Sequence, residues 1–226
     1  NAMRCGEISY RLDNKDEYRY FTSDNEASLW GNTHYKDWGQ QHKRNTSLAS
    51  NITSHITSRT GKKLFAYHAS PIELYCGYLF ASINGYLRET RPPKGDSVAN
   101  NVTLLLAELC DAPRIPENII VFRMVCDTFA NKLFYDNKHD LATYEKGFMS
   151  TSLLDTIAIN REHSHHHHLL KIYVPKGTVG VYVNPVTSRT EQEILIAPNR
   201  RLAMIDYPRK GEHGKYVTEC ILINME

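Results

Sequence analysis

Three short segments in the second half of this chain carry side chains that could act together. Val121-Phe122-Arg123-Met124-Val125 sets one arginine inside an otherwise apolar strand. Burying a guanidinium is costly unless an anion partners it. Arg123 is therefore half of a structural ion pair, a residue on a solvent-facing pleat, or a holder of an anionic ligand. Gly147-Phe148-Met149-Ser150-Thr151-Ser152-Leu153 follows. In a strand Ser150 and Ser152 share a face and Thr151 takes the other. Such hydroxyls can orient a carboxylate on the next strand or simply complete local hydrogen bonding. The third segment is Ser188-Arg189-Thr190-Glu191-Gln192-Glu193, leading into Ile194-Leu195-Ile196. At a period of two, Glu191 and Glu193 point the same way. Like charges about 6–7 Å apart repel, so the pair sits at a solvated strand entrance or has a use.

In the first half, Asn84 and Arg88 lie one helical turn apart and can reach the same partner. Their helix is well marked. Ser70-Pro71-Ile72-Glu73 is a capping box with proline at the first helical position. Ile72, Tyr75, Cys76, Leu79, Phe80, Ile83 and Leu87 then recur at the helical period, and Pro92-Pro93 stops it. Residues 27–41, 48–56 and 97–110 read as further helices. Residues 118–126, 147–153, 169–174, 179–183, 193–197, 201–207 and 216–223 read as strands punctuated by Gly, Pro, Asn or Lys. Helices first and strands second indicate an α+β fold rather than a βαβ repeat, with a composition boundary near residue 113.

Composition narrows the class. The chain has 226 residues, 41% hydrophobic and 23% charged, ordinary for a globular protein of one large or two small domains. Lys and Arg total 27 against 25 Asp and Glu, a balance that announces neither nucleic acid nor an acidic partner. No apolar run approaches the ~20 residues of a membrane span. Five scattered cysteines without a CxxC pair argue against a disulfide framework or a zinc ribbon. Residues 1–23 are polar and aperiodic and are expected to be flexible. Asn1-Ala2-Met3 reads as a cloning remnant, so an export signal ahead of it is expected to have been removed. His163-Ser164-His165-His166-His167-His168 is the one biased stretch. It is read as a solvated tract that charges below about pH 6.5, with metal binding as the rival reading. Protonating all 11 histidines would raise the net charge from +2 to +13.

The aromatic-Arg strand, Ser-Thr-Ser after Gly-Phe, and Glu-x-Glu before an apolar strand, in that order, resemble the Arg-Ser-Glu class of mono-ADP-ribosyltransferases. The likeness is to the bacterial exoenzymes and the enzymatic components of binary toxins. It extends to Ile83-Asn84-Gly85-Tyr86-Leu87-Arg88 and to Trp30-Gly31 through Trp38, and so covers residues 25–223. It implies one catalytic domain over residues 24–226, with an N-terminal helical lobe packed on a two-sheet, mostly antiparallel β core. It implies cleavage of NAD between nicotinamide and ribose, and transfer of ADP-ribose to a protein.

In that reading Glu193 stabilises the positive charge developing on the ribose, as glycosidase carboxylates do, and Ser150 supports it. Glu191 orients the acceptor. Relatives that modify asparagine carry glutamine there, so Glu191 implies an arginine acceptor, with actin the first expectation. Arg123, Asn84, Arg88, Thr151 and, in a loop, Arg161 would contact NAD. No metal is expected.

The resemblance also implies a secreted protein acting in a host cytosol, with a separate translocation component as partner. Two details depart from it. Residues 184–190 lack the aromatic that relatives use to grip their protein substrate, leaving Arg189 or Tyr182 as substitutes. Ala158 and Ile159 stand where an aromatic often covers nicotinamide. The alternatives are transfer to an asparagine of a Rho-type GTPase, plain NAD hydrolysis, or an inactive NAD- or metal-binding interaction module.

Overall fold

A computed structural model describes residues 2–60, 70–90, 96–187 and 189–225. In chain order the elements are α1 (Ala2–Cys5), α2 (Asp24–Thr60), α3 (Pro71–Leu74), α4 (Phe80–Leu87), α5 (Asp96–Asp111), β1 (Ile119–Val125), α6 (Asp127–Lys138), β2 (Thr143–Glu145), β3 (Met149–Ser152), β4 (His168–Val174), β5 (Gly180–Tyr182), β6 (Glu193–Ile196), β7 (Arg200–Met204), β8 (Arg209–Lys210) and β9 (Tyr216–Ile223). The expected order of helices then strands holds, with α6 and the short β2 added between β1 and β3.

The capping box forms as the sequence implies: the Glu73 N–H donates to Ser70 Oγ, and the Ser70 N–H donates to Glu73 Oε2 at 2.8 Å. One π-helical turn, Tyr75–Leu79, links α3 to α4. Such turns widen the backbone and turn side chains off the regular stripe; here Tyr75 and Cys76 are buried. The helix ends at Leu87, and Glu89 takes a left-handed φ of 60°. The Pro92-Pro93 stop lies outside the described residues.

The two helices expected at 27–41 and 48–56 are one helix of 37 residues. Polar residues 42–47 interrupt the apolar pattern but include no helix breaker, and Thr46 Oγ1 donates back to the His42 carbonyl at 3.0 Å.

The strands form one open nine-stranded sheet, ordered β2-β7-β9-β4-β1-β3-β6-β5, with β8 beside β9. All pairs are antiparallel except β4 with β9. The two expected sheets are the halves of this one. They join through a single register pair, Phe122 with Ser152, so β1 and β3 diverge and leave room at their junction.

The main buried cluster draws on both halves of the chain, from Trp30, Ile83 and Leu105 to Val121, Leu170 and Leu195. Phe122, Leu169 and Tyr173 pack on the opposite face of the sheet with Ile157 and Ala158. The composition boundary near residue 113 is thus not a boundary in packing.

Residues 4–23, expected to be flexible, lie along this body. Cys5 and Phe21 are buried. The Arg19 N–H donates to the Asn118 carbonyl, and the Ile120 N–H to the Arg19 carbonyl, both at 2.9 Å. Short polar stretches hid these anchors from a periodicity reading. Among the described residues no helix is long and apolar enough to cross a membrane.

Helix α2 reaches the second half by close approach. A Cβ on Gly31 would fall 2.2 Å from the Tyr182 ring, so only glycine lets the helix lie against β5. Helix α5 presents Glu108, whose Oε2 accepts from the Ile72 N–H at 3.0 Å while Oε1 lies 3.6 Å from His42 Nε2. Burial pushes the Glu108 carboxyl up to about 8 and pulls His42 below its ordinary value.

A raised acid holds its proton in the folded state, so its contribution is full below the unfolded pKa and is lost as pH rises through the folded one. Glu108→Gln should therefore lose less thermal stability than the parent between about pH 5 and about pH 8. Melting curves of both proteins across that range check this.

Candidate active site

The centre of the site is a buried carboxylate. Glu193 opens β6 and is 1% exposed. Its neighbour across the register is Ser152, one residue past Thr151 and two past Ser150. Ser150 Oγ donates to Glu193 Oε1, and the Glu193 N–H donates to Asn184 Oδ1 at 3.1 Å. Oε2 is buried without a hydrogen-bond partner among the described residues, although Arg189 Nε stands 3.4 Å away.

Burial pushes the Glu193 pKa up; the Ser150 bond and Arg189 pull it back, Glu191 pushes it up and Arg123 pulls it down. A buried oxygen with unused acceptor capacity is a place for a ligand hydroxyl or a developing positive charge. Cys76 Sγ lies 4.0 Å from Oε1. Burial, then Glu193, pushes this thiol to about 12, so it is no nucleophile.

Glu191 meets the same place by a different route from the one expected. It is outside β6, and Gln192 between the glutamates has a left-handed φ of 52°, a conformation that costs a non-glycine residue about 1 kcal/mol or more. The pleat therefore does not align the pair. The turn is held from the other side. Gln192 is buried and accepts from Tyr182 Oη at 2.6 Å, and its carbonyl accepts from the Leu153 N–H at 3.0 Å. Ser152 Oγ donates to the Glu191 carbonyl at 2.7 Å. Both carboxylates then converge on one guanidinium: Arg189 Nη1 is 3.5 Å from Glu191 Oε2.

Arg123 sits on β1 where the sheet halves diverge. Its Nη1 donates to the Ser150 carbonyl at 2.7 Å, so the arginine strand, the serine strand and the glutamate form one hydrogen-bonded series. Arg88 Nε pairs with the buried Glu145 at 2.9 Å, and Glu145 also accepts from the Gly147 N–H at 2.8 Å. A cavity of about 840 Å³ opens here, lined among others by Arg88, Arg123, Phe129, Lys132 and Lys146. Its cations and partly apolar walls suit a phosphate-bearing ligand with an aromatic group. A second cavity of about 370 Å³, lined by Cys76, Gly77, Thr187, Arg189 and Glu191 among others, lies on the glutamate side.

Other expected residues fall into supporting places. Asn84 is buried, with its amide spent on the chain entering β3: Oδ1 accepts from the Phe148 N–H at 2.9 Å, and Nδ2 donates to the Phe148 carbonyl and to Tyr75 Oη. A Cβ on Gly147 would fall 2.8 Å from Asn84 Oδ1, so the glycine allows this clamp. Thr151 faces away from the glutamates, as alternation requires, and donates to the Ile194 carbonyl at 2.7 Å. Arg161 is exposed on a short 3-10 turn and makes no side-chain hydrogen bond to another described residue. Tyr182 is 1% exposed, so it is unable to grip a protein substrate. Ala158 is buried and Ile159 is exposed.

The histidine tract runs into β4, tied by Lys215 Nζ to the carbonyls of His163 and His166. Among the described residues no group of three or more His, Cys, Asp or Glu gathers as metal ligands. Sequence reasoning missed Tyr75, Glu145 and the two-carboxylate contact of Arg189. Tyr75 lay on the apolar stripe of its helix, whereas the strand pattern gave Glu145 no signal.

An open mixed sheet with a helical lobe frames this site, and comparison with known proteins gives its class. A model of the family described as ADP-ribosyltransferase exoenzyme matches residues 27–219, and the chain belongs to that family. The family is one of NAD-dependent transferases of the mono-ADP-ribosyltransferase type. Mono-ADP-ribosyltransferase C3 of Clostridium botulinum D phage is 23% identical over 241 residues, covering 96% of this chain and 84% of that protein.

Two solved structures share the fold. An ADP-ribosyltransferase from Clostridium botulinum, solved in a triclinic form, is 19% identical at a TM-score of 0.63, over 92% of this chain and 99% of that one. The ADP-ribosylating toxin component of a C. perfringens binary enterotoxin, solved with NADH, is 18% identical at a TM-score of 0.65, over 92% of this chain and 50% of that one.

The Ser150 bond is the leading influence opposing the burial-driven rise of the Glu193 pKa. Ser150→Ala should therefore move the acidic limb of the pH–activity profile to higher pH, because the ionised carboxylate loses its donor. Nicotinamide release from NAD measured against pH checks this; an unmoved limb would show that Ser150 does not tune Glu193.

Proposed function

We propose that the protein transfers ADP-ribose from NAD to an arginine of a host protein, releasing nicotinamide. The observation that carries this reading is Glu193 itself: buried, held by Ser150 through one oxygen, with the other unspent, and linked through Ser150 to Arg123, which lines the larger cavity. NAD supplies an ADP-ribosyl group on a leaving group that departs neutral. Arg123 and Arg88 hold its phosphates with charge-assisted bonds. Glu193 holds a ribose hydroxyl and faces the charge that grows on the ribose as nicotinamide leaves.

Asn84, Thr151 and Ser152 act through the strand and loop they fix. Arg161 joins the phosphate contacts only with movement of its exposed turn. Glu191 orients the acceptor guanidinium and takes its proton, which matters because a free guanidinium holds that proton to above about pH 12.

The acceptor is the finer part of this reading. Glu191 beside the smaller cavity, already facing a guanidinium in Arg189, favours arginine over asparagine. The likeness to a binary-enterotoxin component makes actin the first acceptor to test. The exoenzyme family, and relatives named as toxins, support a secreted protein that acts in a host cytosol, with a separate component delivering it.

Glu191→Gln should lower transfer to agmatine, a free guanidine, about 100-fold more than it lowers nicotinamide release. Equal losses would remove Glu191 from acceptor handling. Labelled NAD in host-cell lysate, with the modified residue mapped, should mark an arginine of actin. An asparagine of a small GTPase would establish the alternative acceptor, and nicotinamide release with no labelled protein would establish NAD hydrolysis.

A further inference from the structure

Arg189 makes three contacts, two of them to residues of its own loop and strand and one to the helical lobe. Its Nε lies 3.4 Å from Glu193 Oε2 and its Nη1 3.5 Å from Glu191 Oε2, while Nη2 donates to the Cys76 carbonyl at 2.6 Å. Nη2 is thus tied to the helical lobe, and Nε lies in ion-pair range of the reacting carboxylate without a hydrogen bond to it. Nη1 donates to the carboxylate assigned to the acceptor. The side chain keeps about a third of its exposure and forms part of the wall of the smaller cavity.

We propose that Arg189 is itself an acceptor, and that the chain ADP-ribosylates this residue in cis. The proposal rests on the reading of the site as an arginine-directed transferase. The step balances without any further reactant. Nη1 forms a bond to the ribose carbon that carried nicotinamide. The bond from that carbon to the pyridinium nitrogen breaks, and its electron pair neutralises the departing ring. The proton lost from Nη1 passes to Glu191 and then to water.

An acceptor on the catalytic loop has no encounter to wait for, and positioning of this kind corresponds to a large effective concentration. The product also places a bulky dianionic group over both glutamates, so modification limits further turnover by the same chain.

The test incubates the purified chain alone with NAD labelled in its adenylate phosphate, following nicotinamide release and mapping the label by tandem mass spectrometry. The expected result is one ADP-ribose per chain at Arg189, removable by neutral hydroxylamine. Its rate constant should not change on diluting the protein, and nicotinamide release should slow as the label accumulates. A Glu193→Gln chain of distinguishable mass, mixed with the active one, should stay unlabelled at Arg189. Label appearing at Arg189 of that inactive chain would overturn the cis step. Nicotinamide release with Arg189 unmodified would overturn the proposal while leaving NAD cleavage standing; no nicotinamide release would overturn the underlying reading as well.

Discussion

A carboxylate at 1% exposure is ionised only if its surroundings hold it so, because removing a charge from water costs several kcal/mol. Glu193 meets that constraint with few means. Ser150 donates to one oxygen, and Arg189 and Arg123 contribute positive charge. Full compensation would spend the carboxylate on the protein. Leaving Oε2 without a hydrogen bond keeps the group available, and the balance between burial and these neighbours decides whether it is charged at working pH. Much of the architecture fixes those neighbours.

The two halves of the chain meet at this point from opposite directions. Helix α2 lies against Tyr182 through Gly31, Tyr182 holds Gln192, and Gln192 sits strained between the two glutamates. Asn84 on α4 clamps the chain at Phe148 just before the serine strand, and Glu145 ties Arg88 to Gly147. The single register pair between β1 and β3 lets the sheet open where Arg123 reaches the Ser150 carbonyl. Rigid elements thus carry the serine and the second glutamate, while the first glutamate and Arg189 ride on a turn. That division suits the proposed roles, a fixed ribose site beside an acceptor site that must admit different geometries.

Much of this was legible from local pattern. Arg123, Ser150, Glu191 and Glu193 stand in or beside short apolar strands, where period and burial make a polar side chain conspicuous, and the capping box marked α3 directly. What escaped depends on contacts distant in sequence. The spacing of Glu191 and Glu193 suggested a shared face, and they do converge, but through the Gln192 turn and Arg189 rather than through the pleat. Asn84, read from the sequence as a ligand contact, has its amide bonded to Phe148 and Tyr75, partners that no local window shows. Glu145 gave no signal because its partners are fixed only when α4 packs on β3. The continuity of α2 across residues 42–47, and of the sheet across Phe122 and Ser152, likewise follows from packing that no local window contains.

Substituting Glu193 by glutamine tests the central claim most directly, since it keeps the shape of the side chain and one acceptor oxygen while removing the charge. Nicotinamide release from NAD should fall at least about 100-fold. The melting temperature should hold or rise, because a buried, incompletely compensated charge has been removed. Release that persists at the parent rate in a folded Glu193→Gln protein would contradict the account, since the carboxylate would then not be what cleaves NAD.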